Sequence, residues 1–238
     1  MLDSVFVLHR QAYRESSQLL DLYSQTQGRI SAIHRVSKKK PALQPFTLYG
    51  IQLAGKGELK NISQVEALSA PFTLHKQSLY CGFYINELLQ RLVRKYESNT
   101  NIFTYYQQAL EILATTEEQE PCLRRFESQL LNELGYGFSW QQDNQGQAIQ
   151  NDGYYLFDSE SGFFKNPALQ YGAETSFQDK GQSLGFSGAV LNAIAHEDWH
   201  NPETWKVAKQ VMRIALHPLL GDKPLVSRSL FQASASKN

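Results

Sequence analysis

Up to about residue 72 the chain reads as short β-type runs, and from about residue 73 its apolar residues recur every three or four positions. This change of period restricts the fold more than any other feature, because a strand pattern and a helix pattern cannot share one element. Before it stand "VFVLH" (5–9), "QLLDLYS" (18–24), "RISAIHRV" (29–36), "TLYGIQL" (47–53) and "LKNISQVEA" (59–67), all rich in β-branched and aromatic residues. Turn signals separate them, among them Gln27-Gly28 and Gly55-Lys56-Gly57. Five short strands in about 70 residues fit a small barrel; the five-stranded OB barrel is the commonest form, and an SH3-like barrel would give a similar pattern. The expected class is α+β, with an OB-fold barrel over residues 1–72 followed by an α-helical domain over residues 73–238.

The helical pattern is explicit in "LYCGFYINELLQRLVRKY", where Cys81, Ile85, Leu88, Leu89, Leu92 and Tyr96 share one face. "NIFTYYQQALEILA" repeats it through Ile102, Tyr106, Leu110 and Leu113. "PCLRRFESQLLNELG" opens on Pro121 and closes on Gly135, the expected start and stop residues, with Leu123, Phe126, Leu130 and Leu134 as its stripe. Two further helices are expected at "GAVLNAIAH" and "PETWKVAKQVMRIALH". Residues 136–176 break the pattern. They are polar and rich in Gly and Gln, and "GYYLFDSESGFFK" reads as a β-hairpin turning around Asp158–Gly162, a small β insertion in the helical domain.

Charge divides the chain in the same place. Residues 1–80 hold 10 Lys and Arg against 5 Asp and Glu, whereas residues 81–238 hold 13 against 18, although the whole chain is neutral. Such asymmetry suggests two parts with different partners. Cys81 and Cys122 are too few for a disulfide framework and lack the CxxC spacing of a structural zinc site, so no metal and no cofactor are expected. The apolar run in "MLDSVFVLHR" is too short for a signal peptide or a membrane span, so a cytoplasmic protein is expected.

Two stretches imitate catalytic motifs. "HEDWH", His196–His200, fits the zinc-hydrolase pattern H-E-x-x-H, which needs both imidazoles one turn apart on a helix. Asn201-Pro202 follows at once and reads as the N-cap and first position of the next helix, which argues against that alternative. "GIQLAGKG", Gly50–Gly57, approaches a phosphate-binding loop, but Gly57 replaces the Ser or Thr and no helix follows. No convincing active site is left, and the expectation is a protein that is not an enzyme.

One cluster remains. Arg29, Arg35, Lys38, Lys39 and Lys40 occupy positions 29–40, and no acidic residue falls between Gly28 and Gly57. Cations held close together between barrel strands suit a phosphate backbone, whose binding is driven by counterion release. Arg10, Arg14, Lys56 and Lys60 extend the positive surface, and Tyr13, Tyr23 and Phe46 are candidates for base stacking or for the core.

With "FVLHRQAYRESSQLLDLYSQTQGRI", "LQPFT", "GKGELK", "LYCGFYINELL", "LRRFESQLLNELGYG" and "LLGDKPLVSRSLF" in this order from residue 6 to residue 231, the chain resembles the RecO family of bacterial recombination mediators. The resemblance implies an OB domain and a helical domain with a small β insertion. It also implies a protein, nucleoid-associated in the cytoplasm, that binds single- and double-stranded DNA and anneals complementary strands. With the partner RecR, such a protein helps load RecA onto DNA coated with single-strand-binding protein. It further implies docking of that protein's acidic, phenylalanine-ending tail on the helical domain, for which Arg124 and Arg125 are the candidates beside Leu123 and Phe126. Lys223 and Arg228 match the closing motif, either as structural or as DNA-facing residues. Two departures stand out: residues 136–176 contain no cysteine for the zinc site of some members, and "HRVSKKK" stands where the family often has "KG" before basic residues.

Overall fold

A computed structural model describes residues 2–115, 119–165 and 185–235. Its first five strands are β1 (Asp3–Tyr13), β2 (Ser17–Ser24), β3 (Gly28–Arg35), β4 (Tyr49–Ala54) and β5 (Leu59–Ala67). They close into a barrel in the order β1-β2-β3-β5-β4, antiparallel throughout except for the β3–β5 pair. This closure is the OB arrangement expected from the five runs. Alternation does the work: Ile30, Ala32 and His34 of β3 point inward, while Ser31 and Ile33 between them are half-exposed. The core collects Val5, Val7, Leu20, Leu22, Ile30, Ile51 and Ile62, and Leu43 enters it from the β3–β4 loop. Each such side chain contributes on the order of 1.5–3 kcal/mol by leaving water.

Six helices follow among the described residues: α1 (Lys76–Leu92), α2 (Thr100–Thr115), α3 (Gln119–Glu133), α4 (Gly188–Ala195), α5 (Pro202–Leu220) and α6 (Val226–Ala235). The chain forms two compact units, Met1–Gln119 with Lys223–Asn238 and Glu120–Asp222. In the first unit α1 and α2 cover an outer face of the barrel. Phe6 of β1 meets Phe103 and Tyr106 at ring-centroid distances of 5.4 and 5.0 Å. Asn86, buried on α1, donates to the Leu8 carbonyl at 2.9 Å and accepts the Tyr106 hydroxyl at 2.7 Å. Burial pushes the Tyr106 phenol well above its ordinary range.

α1 stops at Leu92, four residues short of the span the apolar spacing suggests. The cause is a competing set of backbone bonds on β3. β5 pairs only with Ser31–Ile33, leaving the start of β3 unmet on that side. Residues 93–97 take its place: the Arg29 guanidinium donates to the Val93 carbonyl at 3.0 Å, and the Tyr96 amide donates to the Arg29 carbonyl at 3.0 Å. Gly28, at φ +70°, comes so close that a Cβ there would lie 2.0 Å from the Glu97 carbonyl oxygen.

The first unit also takes in α6, an element that apolar spacing does not reveal. The Glu87 carboxylate on α1 accepts from the amides of Val226 and Ser227 and from the Ser227 hydroxyl, at 2.7–2.8 Å. It thereby caps the helix from 139 and 140 residues away. Arg91, one turn on, donates to the carbonyls of Lys223 and Pro224.

In the second unit the expected hairpin is β6 (Tyr154–Asp158) with β7 (Gly162–Lys165). Asp158 closes its turn by accepting from Glu160 and Ser161, and these bonds hold its carboxyl below the ordinary range. A two-residue strand, β8 (Phe186–Ser187), joins the other edge of β6. Of the insertion expected over 136–176, residues 166–176 lie outside the described residues. Tyr155, Phe163, Phe186, Leu191, Ala208 and Val211 form the core of this unit. Asn201 caps α5 by accepting from the Glu203 amide at 2.9 Å, with Pro202 at the first position, as read from the sequence. No helix among the described residues is long and apolar enough to cross a membrane.

Candidate nucleic-acid interface

Strand register decides which cations meet. Tyr13 pairs with Ser17, and Ser17 pairs with Arg35, so the β1–β2 turn and the end of β3 lie at one end of the barrel. The Val36 amide donates to the Ser16 carbonyl at 2.8 Å and binds the two loops together. Immediately beyond, Ser37 and Lys40 exchange backbone bonds of 2.8 and 3.1 Å, a tight turn with Lys38 and Lys39 at its tip. Arg14, Arg35, Lys38, Lys39 and Lys40 are all exposed at this end, and Glu15 is the single acid in the two loops. Arg14 holds φ +53° with its guanidinium 5.1 Å from the Tyr13 ring centre. Arg10 is exposed on the outer stretch of β1, opposite Leu20.

The loop after the lysines is fastened down. Pro41, Leu43 and Gln44 each bond the barrel: the Pro41 carbonyl to His34 Nε2 at 3.0 Å, the Leu43 amide to Gln18 Oε1 at 3.0 Å, and the Gln44 amide to the Tyr49 hydroxyl at 3.1 Å. Phe46 then turns back through φ +61° and packs on Phe83 at 5.2 Å. A Cβ on Gly82 would lie 2.9 Å from the Phe46 ring, so the bare backbone of α1 makes room for it.

Other candidate cations lie elsewhere. β5 runs parallel to β3 with Lys60 opposite Ala32, which puts the β4–β5 turn, and Lys56 in it, toward the Arg29 end of β3. Lys60 bonds the Gly55 carbonyl at 3.3 Å, and the Tyr96 hydroxyl donates to the Glu58 carbonyl at 2.7 Å. Arg29 is half-buried, 3.5 Å from Asp21 and bonded to Val93, so its charge is engaged inside the unit. Burial raises the Asp21 carboxyl, with Arg29 opposing the shift. Tyr23 and Phe46 are buried and have no free face for a base; Tyr13 remains half-exposed. Lys95 lies outside the cations that the sequence pattern picks out. It is exposed and donates to Ser31 Oγ at 2.8 Å on the outer face of β3, a position hidden while 94–96 is read as helix.

The two arginines of α3 differ sharply. Arg124 is 6% exposed and sits 2.9 Å from Glu127, itself 0% exposed, with Glu120 at 3.8 Å. Arg125 lies on the surface, its Nε and Nη2 on the two oxygens of Glu197 at 3.0 and 2.6 Å. That fork raises the guanidinium and lowers the carboxyl from their ordinary values. Glu197 belongs to the "HEDWH" segment, which is not helical: α4 ends at Ala195, Glu197 takes φ +55°, and α5 begins at Pro202. His196 Nδ1 lies 2.7 Å from the Asn192 carbonyl oxygen. The helical turn that a zinc hydrolase needs between its two histidines is missing here. No group of three or more His, Cys, Asp or Glu among the described residues is placed to hold a metal ion. Gly50–Gly57 is strand β4 running into a turn, with strand β5 after it. Lys223 and Arg228 are exposed around the start of α6.

The chain matches two family models, described as Recombination protein O N terminal over residues 1–71 and Recombination protein O C terminal over residues 77–229. A DNA repair protein RecO of Pseudomonas putida is 40% identical over 229 residues, 95% of each chain. Another from Stutzerimonas stutzeri is 39% identical over 233 residues, 97% of this chain and 93% of that one. A third from Pseudoalteromonas atlantica is 37% identical over 239 residues, 98% of this chain and 95% of that one.

Proposed function

The chain belongs to the RecO family of DNA repair proteins, and from that premise we propose that it binds single- and double-stranded DNA at the basic end of its barrel and anneals complementary strands. The observation that carries this reading is the meeting of Arg14, Arg35, Lys38, Lys39 and Lys40 on the β1–β2 turn, the end of β3 and the loop bonded to that turn, with one acid between them. Two DNA strands repel each other; a cationic surface screens that repulsion while base pairs nucleate. Phosphate contacts carry no sequence information, so binding is nearly independent of sequence. In the cell the protein works in the cytoplasm at the nucleoid, with RecR, to load RecA onto DNA coated with single-strand-binding protein. For the acidic tail of that protein, Arg125 is the accessible cation of the α3 pair, and an incoming carboxylate there displaces Glu197.

The test is a titration of a fluorescent single-stranded oligonucleotide at several salt concentrations, with wild type and with Lys38→Ala/Lys39→Ala/Lys40→Ala protein. Three lost phosphate contacts flatten the log–log salt dependence by about 2 units, at about 0.7 per contact on single strands. An unchanged slope beside tight wild-type binding moves the site away from this end of the barrel.

A further inference from the structure

Polar side chains are costly inside a barrel core unless each finds a partner. Gln18 and His34 are 9% and 1% exposed, and they are direct cross-strand neighbours on β2 and β3. Leucine or valine at either place would bury more apolar surface without the desolvation cost. What both residues bond is the β3–β4 loop. The imidazole donates from Nε2 to the Pro41 carbonyl, and the Gln18 carboxamide oxygen accepts the Leu43 amide. Leu43 in turn is 3% exposed within the barrel core. The lysine turn is thus held on both sides: Val36 is bonded to Ser16 before it, and Pro41 is bonded to His34 directly after Lys40.

Three consecutive lysines repel one another, and a slack loop relieves that repulsion by spreading. A held loop keeps its charges together and loses less freedom when a polyanion arrives. We infer that His34 and Gln18 are positioning residues, which grip the loop from inside the barrel and preset the Lys38–Lys40 turn for a phosphodiester strand; this rests on the DNA-binding reading above. The two polar residues thereby link barrel packing to affinity without touching the nucleic acid.

Hydrogen exchange on the free wild-type protein is the first test. The amides of Val36, Lys40, Leu43 and Gln44, all bonded, exchange slowly, while those of Lys38 and Lys39 exchange fast; rapid exchange at Leu43 overturns the inference. Oligonucleotide affinity of folded variants is the second. His34→Leu fills the site but removes the donor, and it weakens binding by about three- to tenfold as the loop is released. His34→Gln, whose amide NH can occupy the place of Nε2–H, restores the affinity. Should His34→Leu fail to fold, Gln18→Met frees the Leu43 amide and is read the same way. A purely structural role lowers the melting temperature of the folded variants and leaves their affinity unchanged, and that result sinks the proposal. If the triple lysine variant also binds as wild type, the DNA site itself is misplaced. If only the triple variant is weakened, the positioning role alone falls.

Discussion

Glu127→Ala is expected to destabilise the second unit by about 3–5 kcal/mol, because it removes the carboxylate that sits 2.9 Å from the buried Arg124 cation. Arg124 cannot swing to water from 6% exposure, and Glu120, at 3.8 Å, is too distant to replace a contact ion pair. The pair itself is a modest stabiliser, since desolvating both ions offsets most of their attraction. The double variant Arg124→Met/Glu127→Leu, which removes both charges and keeps the volume, is therefore expected to be far milder than Glu127→Ala. Urea denaturation followed by tryptophan fluorescence reads the effect in the right place: Trp140, Trp199 and Trp205 all lie in the Glu120–Asp222 unit. Equal losses for the single and double variants would mean that packing, and not charge, holds this part of α3.

Gly28→Ala is expected to cost about 3 kcal/mol in the first unit, from two causes that can be separated. The first is conformational: φ +70° is a left-handed backbone, which costs an L residue roughly 1–2 kcal/mol. The second is the new Cβ, set 2.0 Å from the backbone oxygen of Glu97, which no side-chain rotation can relieve. Segment 93–97 must lift, and the Arg29–Val93 and Tyr96–Arg29 bonds are lost at about 1 kcal/mol each. Gly135 supplies the control. It has φ +81° with nothing within 4 Å of a Cβ, so Gly135→Ala should show the conformational cost alone, about 1–2 kcal/mol. In Gly28→Ala the Tyr96 amide should also lose its protection from hydrogen exchange; retained protection would show that the segment had not moved.

The barrel was legible because its strands alternate around a single core: Ile30 and Ala32 go in, Ser31 and Ile33 stay out, and period-2 spacing records that directly. The hairpin at Asp158–Gly162 and the Asn201-Pro202 helix start were legible for a similar reason, since the causes are local. Where partners come from far along the chain, spacing is silent. The early end of α1 is set by the free edge of β3, and α6 is capped by a carboxylate 139 residues away. A count of charges along the chain reveals the basic cluster but not the surface it forms. Arg29 faces outward on β3 like Arg35, yet it meets Asp21 and Val93 while Arg35 meets solvent. Arg124 and Arg125 stand a hundred degrees apart on one helix, so one is enclosed and its neighbour exposed. There a signal did exist: Glu120, Arg124 and Glu127 at i−4, i and i+3 spell an ion-pair row on the side that carries Leu123 and Phe126.

The capping of α6 by Glu87 has a consequence for how the protein is made. The barrel and α1 leave the ribosome early, yet the Glu87 carboxylate finds its three donors only after residue 227 has been polymerised. At about 5–20 residues per second, the intervening 140 residues take roughly seven to thirty seconds. Throughout that interval the nascent first unit carries an unclosed seam along α1, covered only when translation has passed through everything between.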